Sequence, residues 1–334
     1  MKRFILIMIL LWVRISLSPA QDIILDGCGA TFPAPLYQTW IEKYREQTNV
    51  RINYKPHGSG AGVEHLLDGT VDFGATDVFM TNENLENAPD TIIHIPTCIG
   101  AVVLIYNLPG NPELLFSPDL LAGIFLGTIN NWSDRRIMQL NPGVKLPDVE
   151  ITVVHRADGS GTSHIFTEYL SKVSRDWSKR VGTGKIVKWP AGIGVDGNTK
   201  VAEFVKRING SIGYVEMTYA ERNNFPKASI QNASGNFIKP TLESVTTAAK
   251  TRLPNDLRIS LTNTHARYGY PICSFTYIIT YEQARLGPPE KSKAIADFLW
   301  WAIHDGQLYT KPLFYAPLPD GAIVNAENII KKIR

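Results

Sequence analysis

Ile151-Thr152-Val153-Val154-His155-Arg156-Ala157-Asp158-Gly159-Ser160-Gly161-Thr162-Ser163 runs from β-branched residues, through a glycine-rich turn, into the amphipathic stretch that ends at Val173. Ile151 to His155 predicts a strand and Thr162 to Val173 a helix, with Gly159 and Gly161 marking the break. A strand that turns directly into a helix is the repeating unit of α/β folds.

Outward from this run the same rhythm recurs. Further strands are expected at Ile23 to Leu25, Val50 to Tyr54, Val71 to Ala75, Ile92 to Tyr106, Ser211 to Glu216 and Tyr270 to Tyr281. Helices are expected at Ala34 to Glu46, Gly62 to Leu67, Lys200 to Ile208, Thr241 to Thr251 and Lys291 to Ile303. Ile92 to Tyr106 and Tyr270 to Tyr281 are far longer than the usual strand of about 5 or 6 residues. They read either as hinge strands crossing between two domains or as a long pair within one sheet. The hinge reading makes domain 1 discontinuous, residues 21–100 plus 272–334, with domain 2 at 101–271.

Four segments share one local design. Gly27 to Pro35, His57 to Gly62, Asp72 to Asp77 and Arg156 to Ser163 each end a strand in small residues and then turn. Glycine lets the main chain approach a ligand, and free N–H groups at a helix start attract an anion. The hydroxyls of Thr31, Ser59, Ser160 and Thr162 would add donors, and a proline such as Pro33 or Pro35 suits a first helical turn. Ordinary helix capping explains any one of these turns equally well. Four in one chain, one beside an arginine and one ending in a carboxylate, point collectively to an anion site.

Other chemistries fit poorly. Gly192-Ile193-Gly194-Val195-Asp196-Gly197 has dinucleotide-fingerprint spacing, but Lys188-Trp189-Pro190-Ala191 before it makes a poor strand end, so it reads as a loop. Gly182-Thr183-Gly184-Lys185 is followed by Ile186 and fails as a phosphate loop. Ser59 and Ser160 lack the Gly-x-Ser-x-Gly setting of a hydrolase nucleophile. His57, His155 and His164 have no metal-ligand spacing and read as packed or solvated side chains.

Lys2 and Arg3, the apolar run Phe4 to Val13, and the small residues up to Ala20 have the three parts of an export signal, so residues 1–20 are expected to be removed. The apolar run is half of the roughly 20 residues needed to span a bilayer. Losing Lys2, Arg3 and Arg14 takes the 34 basic residues to 31, equal to the 31 acidic ones. Anion capture must therefore be local, not the work of a global field. Three cysteines, Cys28, Cys98 and Cys273, permit at most one disulfide. Leu25-Asp26-Gly27-Cys28 is a poor lipidation box, too far past the apolar run.

The four segments, in order, resemble the periplasmic phosphate-binding proteins of bacterial phosphate ABC transporters, the PstS type. The likeness takes in 29–37, 71–75, 141–143, 156–163, 181–184, 187–190 and 212–216, essentially the whole mature chain. It implies a two-domain α/β periplasmic binding protein (type II-like), each domain a mixed sheet flanked by helices, that holds phosphate in the interdomain cleft. Carried over by motif, the implied ligands are Thr31, Phe32 through its N–H, Ser59 and Asp77 from one domain. Arg156, Ser160, Gly161 and Thr162 come from the other, with Arg156 as the only formal positive charge and Asp158 orienting it. Cys28, Gly60 and Thr76 depart from the family's usual small residue, second serine and serine. The resemblance further implies a periplasmic, monomeric receptor, without catalysis, cofactor, metal or nucleic-acid binding, whose partners are inorganic phosphate and membrane permease subunits. Receptors for another oxyanion such as sulfate, and secreted phosphatases, are the rival readings; Asp77 speaks against the first and the missing nucleophile or metal cluster against the second.

Overall fold

The computed structural model describes residues 23–283 and 288–333; the expected export signal lies outside them. The chain opens with β1 (Ile23–Gly29), α1 (Ala34–Gln47), β2 (Val50–Lys55), α2 (Ser59–Leu67), β3 (Phe73–Thr76), α3 (Asn82–Glu86) and β4 (Ile92–Tyr106). It continues through β5 (Leu115–Phe116), α4 (Pro118–Phe125), α5 (Arg135–Leu140), β6 (Thr152–Arg156), α6 (Gly161–Val173), α7 (Arg175–Arg180), β7 (Ile193–Val195) and α8 (Gly197–Arg207). Then come β8 (Ser211–Glu216), α9 (Met217–Arg222), β9 (Ser229–Gln231), β10 (Phe237–Ile238), α10 (Leu242–Ala248), β11 (Cys273–Tyr281), α11 (Pro289–Ile303) and α12 (Asp320–Ile330).

Eight strands form one mixed sheet in the order β2-β1-β3-β11-β4-β8-β6-β7, and β10-β9-β5 form a small second sheet. β1 runs parallel to β2 and β3, and β6 parallel to β7 and β8, as strand–helix–strand units require. β11 and β4 are antiparallel to their neighbours and sit at the centre. All fifteen residues of β4 are buried, which is why it reads as one long apolar run instead of alternating.

β4 changes partner along its length. Ile92 to Ala101 pairs with β11, and Val102 to Tyr106 with β8. The register slips at Pro96: Tyr277 faces Pro96 and Thr276 faces Cys98, leaving Thr97 as the extra residue. Proline cannot donate to a ladder, and a bulge absorbs the missing bond while Thr97 Oγ1 donates to Thr276 O at 3.1 Å.

Several expected boundaries need correction. β11 begins at Cys273, not Tyr270: Pro271 has no N–H for a ladder, and Tyr270 donates instead to Ser244 O at 3.0 Å. α2 and α8 begin at Ser59 and Gly197, three residues before the expected starts at Gly62 and Lys200. The glycine-rich stretches are thus themselves first helical turns, whose N–H groups have no partner inside the helix. Cys28, Cys98 and Cys273 are all free and buried, so no disulfide joins them. Cys28 lies buried inside β1, with Ile23 to Gly27 paired to β2 ahead of it. Among the described residues no helix is long and apolar enough to cross a membrane.

Candidate functional site

β1, α2, β3, β6 and α6 all end or begin at one place. Thr31 and Phe32 follow β1, with Pro33 and Pro35 at the start of α1, where their missing N–H groups cost nothing. Ser59 opens α2, Asp77 follows β3, Arg156 ends β6, and Ser160, Gly161 and Thr162 open α6. Every one of these residues is buried.

Ser59 and Asp77 are directly joined. Ser59 Oγ donates to Asp77 Oδ2 at 3.0 Å, and Asp77 N donates back to Ser59 Oγ at 3.2 Å. Thr276 Oγ1 on β11 donates to the other carboxylate oxygen at 2.8 Å. Burial pushes the Asp77 carboxyl up to about 6, against the pull of these hydroxyls and of the positive charges of Arg156 and Lys185.

The opposite face is built around Arg156. Its Nε donates to Asp158 Oδ1 at 2.6 Å and its Nη2 to Asp158 Oδ2, a bidentate pair. This leaves the Nη1–Nη2 edge of the guanidinium, of which Nη1 lies 3.4 Å from Thr162 Oγ1. Asp158 is itself held by Gly197 N at 3.2 Å. Burial pushes the Asp158 carboxyl up, but the hydrogen bonds and charge of Arg156 outweigh it and leave it below the ordinary range. An arginine so fixed presents its remaining fork to an anion without losing side-chain entropy on binding.

The two faces touch. Gly60 N donates to Gly159 O at 2.7 Å, main chain to main chain. A Cβ on Gly60 would stand 3.1 Å from Gly159 Cα, which gives the departure from serine at position 60 a physical reason: the lips meet where neither has a side chain. A Cβ on Gly161 would come within 2.3 Å of Ser59 Oγ and 2.4 Å of Asp77 Oδ2. The N-terminus of α6 is therefore pressed against the Asp77 carboxyl and can be occupied only by glycine. Ser160 is both a cap, accepting from Ser163 N at 3.0 Å, and a hydroxyl with a proton left to give. Phe32 is fully buried and its carbonyl accepts from Tyr315 OH at 2.7 Å.

Three residues were missed by sequence reasoning. Lys185, in the stretch dismissed as a failed phosphate loop, is half-buried; its carbonyl accepts from Ser160 N at 3.0 Å. Burial pushes its ammonium down while Asp77 pulls it back up, so Arg156 is not the only formal positive charge acting on this site. Asn198 donates to Thr31 Oγ1 at 2.9 Å and to Thr162 Oγ1 at 3.3 Å. Tyr219 OH donates to Thr31 O at 2.6 Å. No local pattern marks these side chains, because each acts on a residue far away in the sequence.

A family model described as a PBP superfamily domain matches residues 18–305. A phosphate-binding protein PstS of Pasteurella multocida is 41% identical over 338 residues, covering 100% of this chain and 94% of the relative. One from Methanocaldococcus jannaschii is 39% identical, covering 93% and 87%. Among solved structures, a high-affinity periplasmic phosphate-binding protein bound with phosphate (PfluDING) superposes with a TM-score of 0.73 at 19% identity, covering 92% of this chain and 93% of that one. A substrate-binding protein of Clostridium perfringens, described as that of a phosphate ABC transporter and solved with bound phosphate, gives 0.65 at 18% identity, covering 89% and 100%. The solved structures share the fold, and the relatives near 40% identity carry the likeness along nearly their whole length; the chain belongs to the PBP superfamily and, within it, to the PstS family of phosphate-binding proteins.

Proposed function

We propose that this chain is an exported receptor that captures inorganic phosphate between two domains, 21–100 plus 272–334 and 101–271, and delivers it to an ABC-type importer. The observation that carries the reading is a buried carboxylate, Asp77, facing a buried arginine, Arg156, within a shell of hydroxyl and N–H donors. Phosphate near neutral pH carries both negative charge for the arginine and the helix starts and a proton for the carboxylate. Sulfate carries only acceptors, so Asp77 would meet it unpaired. The domain boundaries are supported by the partner change in β4 between Ala101 and Val102. Thr31, Phe32, Ser59 and Asp77 on one side, and Arg156, Ser160, Gly161 and Thr162 on the other, are the ligands, with Asp158 orienting Arg156. The protein acts in the periplasm as a receptor, not as a catalyst, and hands its cargo to permease subunits. Equilibrium binding of labelled phosphate to protein unfolded and refolded to strip bound ligand tests the reading. Saturable binding that excess sulfate leaves intact is expected; no binding, or sustained turnover of a chromogenic phosphate ester, would overturn it.

A further inference from the structure

Asn198, the second residue of α8, is fully buried and makes three hydrogen bonds. Its Oδ1 accepts from Glu216 N at 3.0 Å. A backbone N–H can only donate, so this bond fixes which way the amide faces: oxygen toward Glu216, nitrogen toward the cleft. The two protons on Nδ2 then go to Thr31 Oγ1 at 2.9 Å and Thr162 Oγ1 at 3.3 Å. Thr31 belongs to the turn after β1 and Thr162 to the first turn of α6, on opposite sides of the cleft.

A hydroxyl has two lone pairs and one proton. Thr162 Oγ1 receives Asn198 Nδ2 and, at 3.4 Å, Arg156 Nη1, which accounts for both lone pairs and leaves it only its proton to offer. Thr31 Oγ1 likewise receives the amide and keeps its proton free. We propose that Asn198 is a positioning residue that sets the hydrogen-bond polarity of the two threonines, so that both donate to one bound anion, and that bridges the cleft while doing so. This rests on the reading of the cleft as a phosphate site. A proton-poor oxyanion needs donors, and hydroxyls left to choose would spend part of their time presenting lone pairs to it. For Thr162 the amide and the guanidinium together remove that choice before the ligand arrives, and for Thr31 the amide occupies one of the two lone pairs and narrows it, which is preorganisation of the kind that raises affinity without adding a contact.

Two variants and two pH values test the proposal, with phosphate affinity of stripped protein as the readout and the thermal midpoint as the check on folding. Asn198→Asp keeps the shape and the acceptor for Glu216 N–H but turns the donor into an acceptor, drawing both threonine protons away from the anion. Asn198→Ala removes the amide without adding charge. At pH 8 the Ala variant should bind about tenfold and the Asp variant at least a hundredfold more weakly than wild type. At pH 5 the introduced carboxyl can hold a proton and donate again, so the order of the two variants should reverse, the Asp variant binding more tightly than the Ala variant. A merely structural role predicts no reversal. Binding by Asn198→Ala within threefold of wild type, or an Asp variant still the weaker at pH 5, would overturn the proposal. Wild type is the control for the reading beneath it: if wild type binds no phosphate, that reading fails and this one with it.

Discussion

Asp77 is held near the middle of the physiological range, its carboxyl lifted to about 6 by burial. The shift is upward, so the neutral acid gains ground as pH falls through 6 and the carboxylate prevails above it. In the proposed site an ionised Asp77 would accept the phosphate proton and repel sulfate, whereas a protonated one would offer sulfate a donor. A site whose selectivity rests on one buried acceptor can reject the mismatched analogue by on the order of 10⁴-fold, but only while the acceptor stays ionised. Sulfate competition against labelled phosphate should therefore be undetectable at pH 8 and measurable at pH 5 in the wild-type protein. In Asp77→Asn it should be measurable at both. Exclusion of a thousandfold sulfate excess by the Asn variant at both pH values would place the filter elsewhere than Asp77.

At the scale of elements, the site is an arrangement of helix starts. α6 begins at Gly161, whose Cα lies so close to Ser59 and Asp77 that an added methyl would overlap both. Overpacking of that kind costs about 1 to 3 kcal/mol, and its cost falls on the state in which the two faces meet. Gly161→Ala should weaken phosphate binding by about 5- to 150-fold, the same figure expressed as affinity. The thermal midpoint of the stripped protein should move little; a variant destabilised without ligand to the same degree would show that the methyl disturbs the α6 start itself rather than the meeting of the faces. These helix starts were legible in the sequence because a strand end, a glycine and a hydroxyl residue lie within a few positions of one another. Thr31, Ser59, Asp77 and Arg156 lie in segments legible in that way, and their ligand roles are what the family resemblance implies. Asn198 does not: its Gly-Val-Asp-Gly-Asn setting resembles a loop, and its bond to Thr31 spans 167 positions. Lys185 escapes for a related reason: its local pattern is that of a failed motif, and its placement comes from its carbonyl on Ser160. β5, β9, β10, α3, α4, α5, α7, α9 and α12 also go unread, since very short strands and helices outside the repeating units carry little periodic signal, and Gly192 to Gly197, which reads as a loop, instead holds β7, paired with β6, and the start of α8.

For the whole molecule, a ligand gripped from both faces favours the arrangement in which all donors reach it at once. The lips meet through Gly60 and Gly159, and β4 passes between the part of the sheet paired with β11 and the part paired with β8. Small-angle scattering of stripped protein should give a larger radius of gyration than the same sample with phosphate, both near the roughly 20 Å of a compact chain of this length. Equal radii, in protein verified to start free of ligand, would remove domain closure from the account.

The place of β11 in the sheet also bears on the order in which the molecule can be assembled. β3 and β4 are separated by only fifteen residues of chain, yet they are not neighbours; β11, from near the far end of the sequence, lies between them. Until residues 273–281 are available, the edge of β3 and much of β4 have no partner, and both present unpaired main-chain groups to whatever else is nearby. The segment from β6 to β8, whose strands pair with one another, has no such wait. A chain made from its N-terminus therefore completes its middle before its beginning, and the first half of the proposed phosphate site takes its final form only when the last central strand slides into the gap.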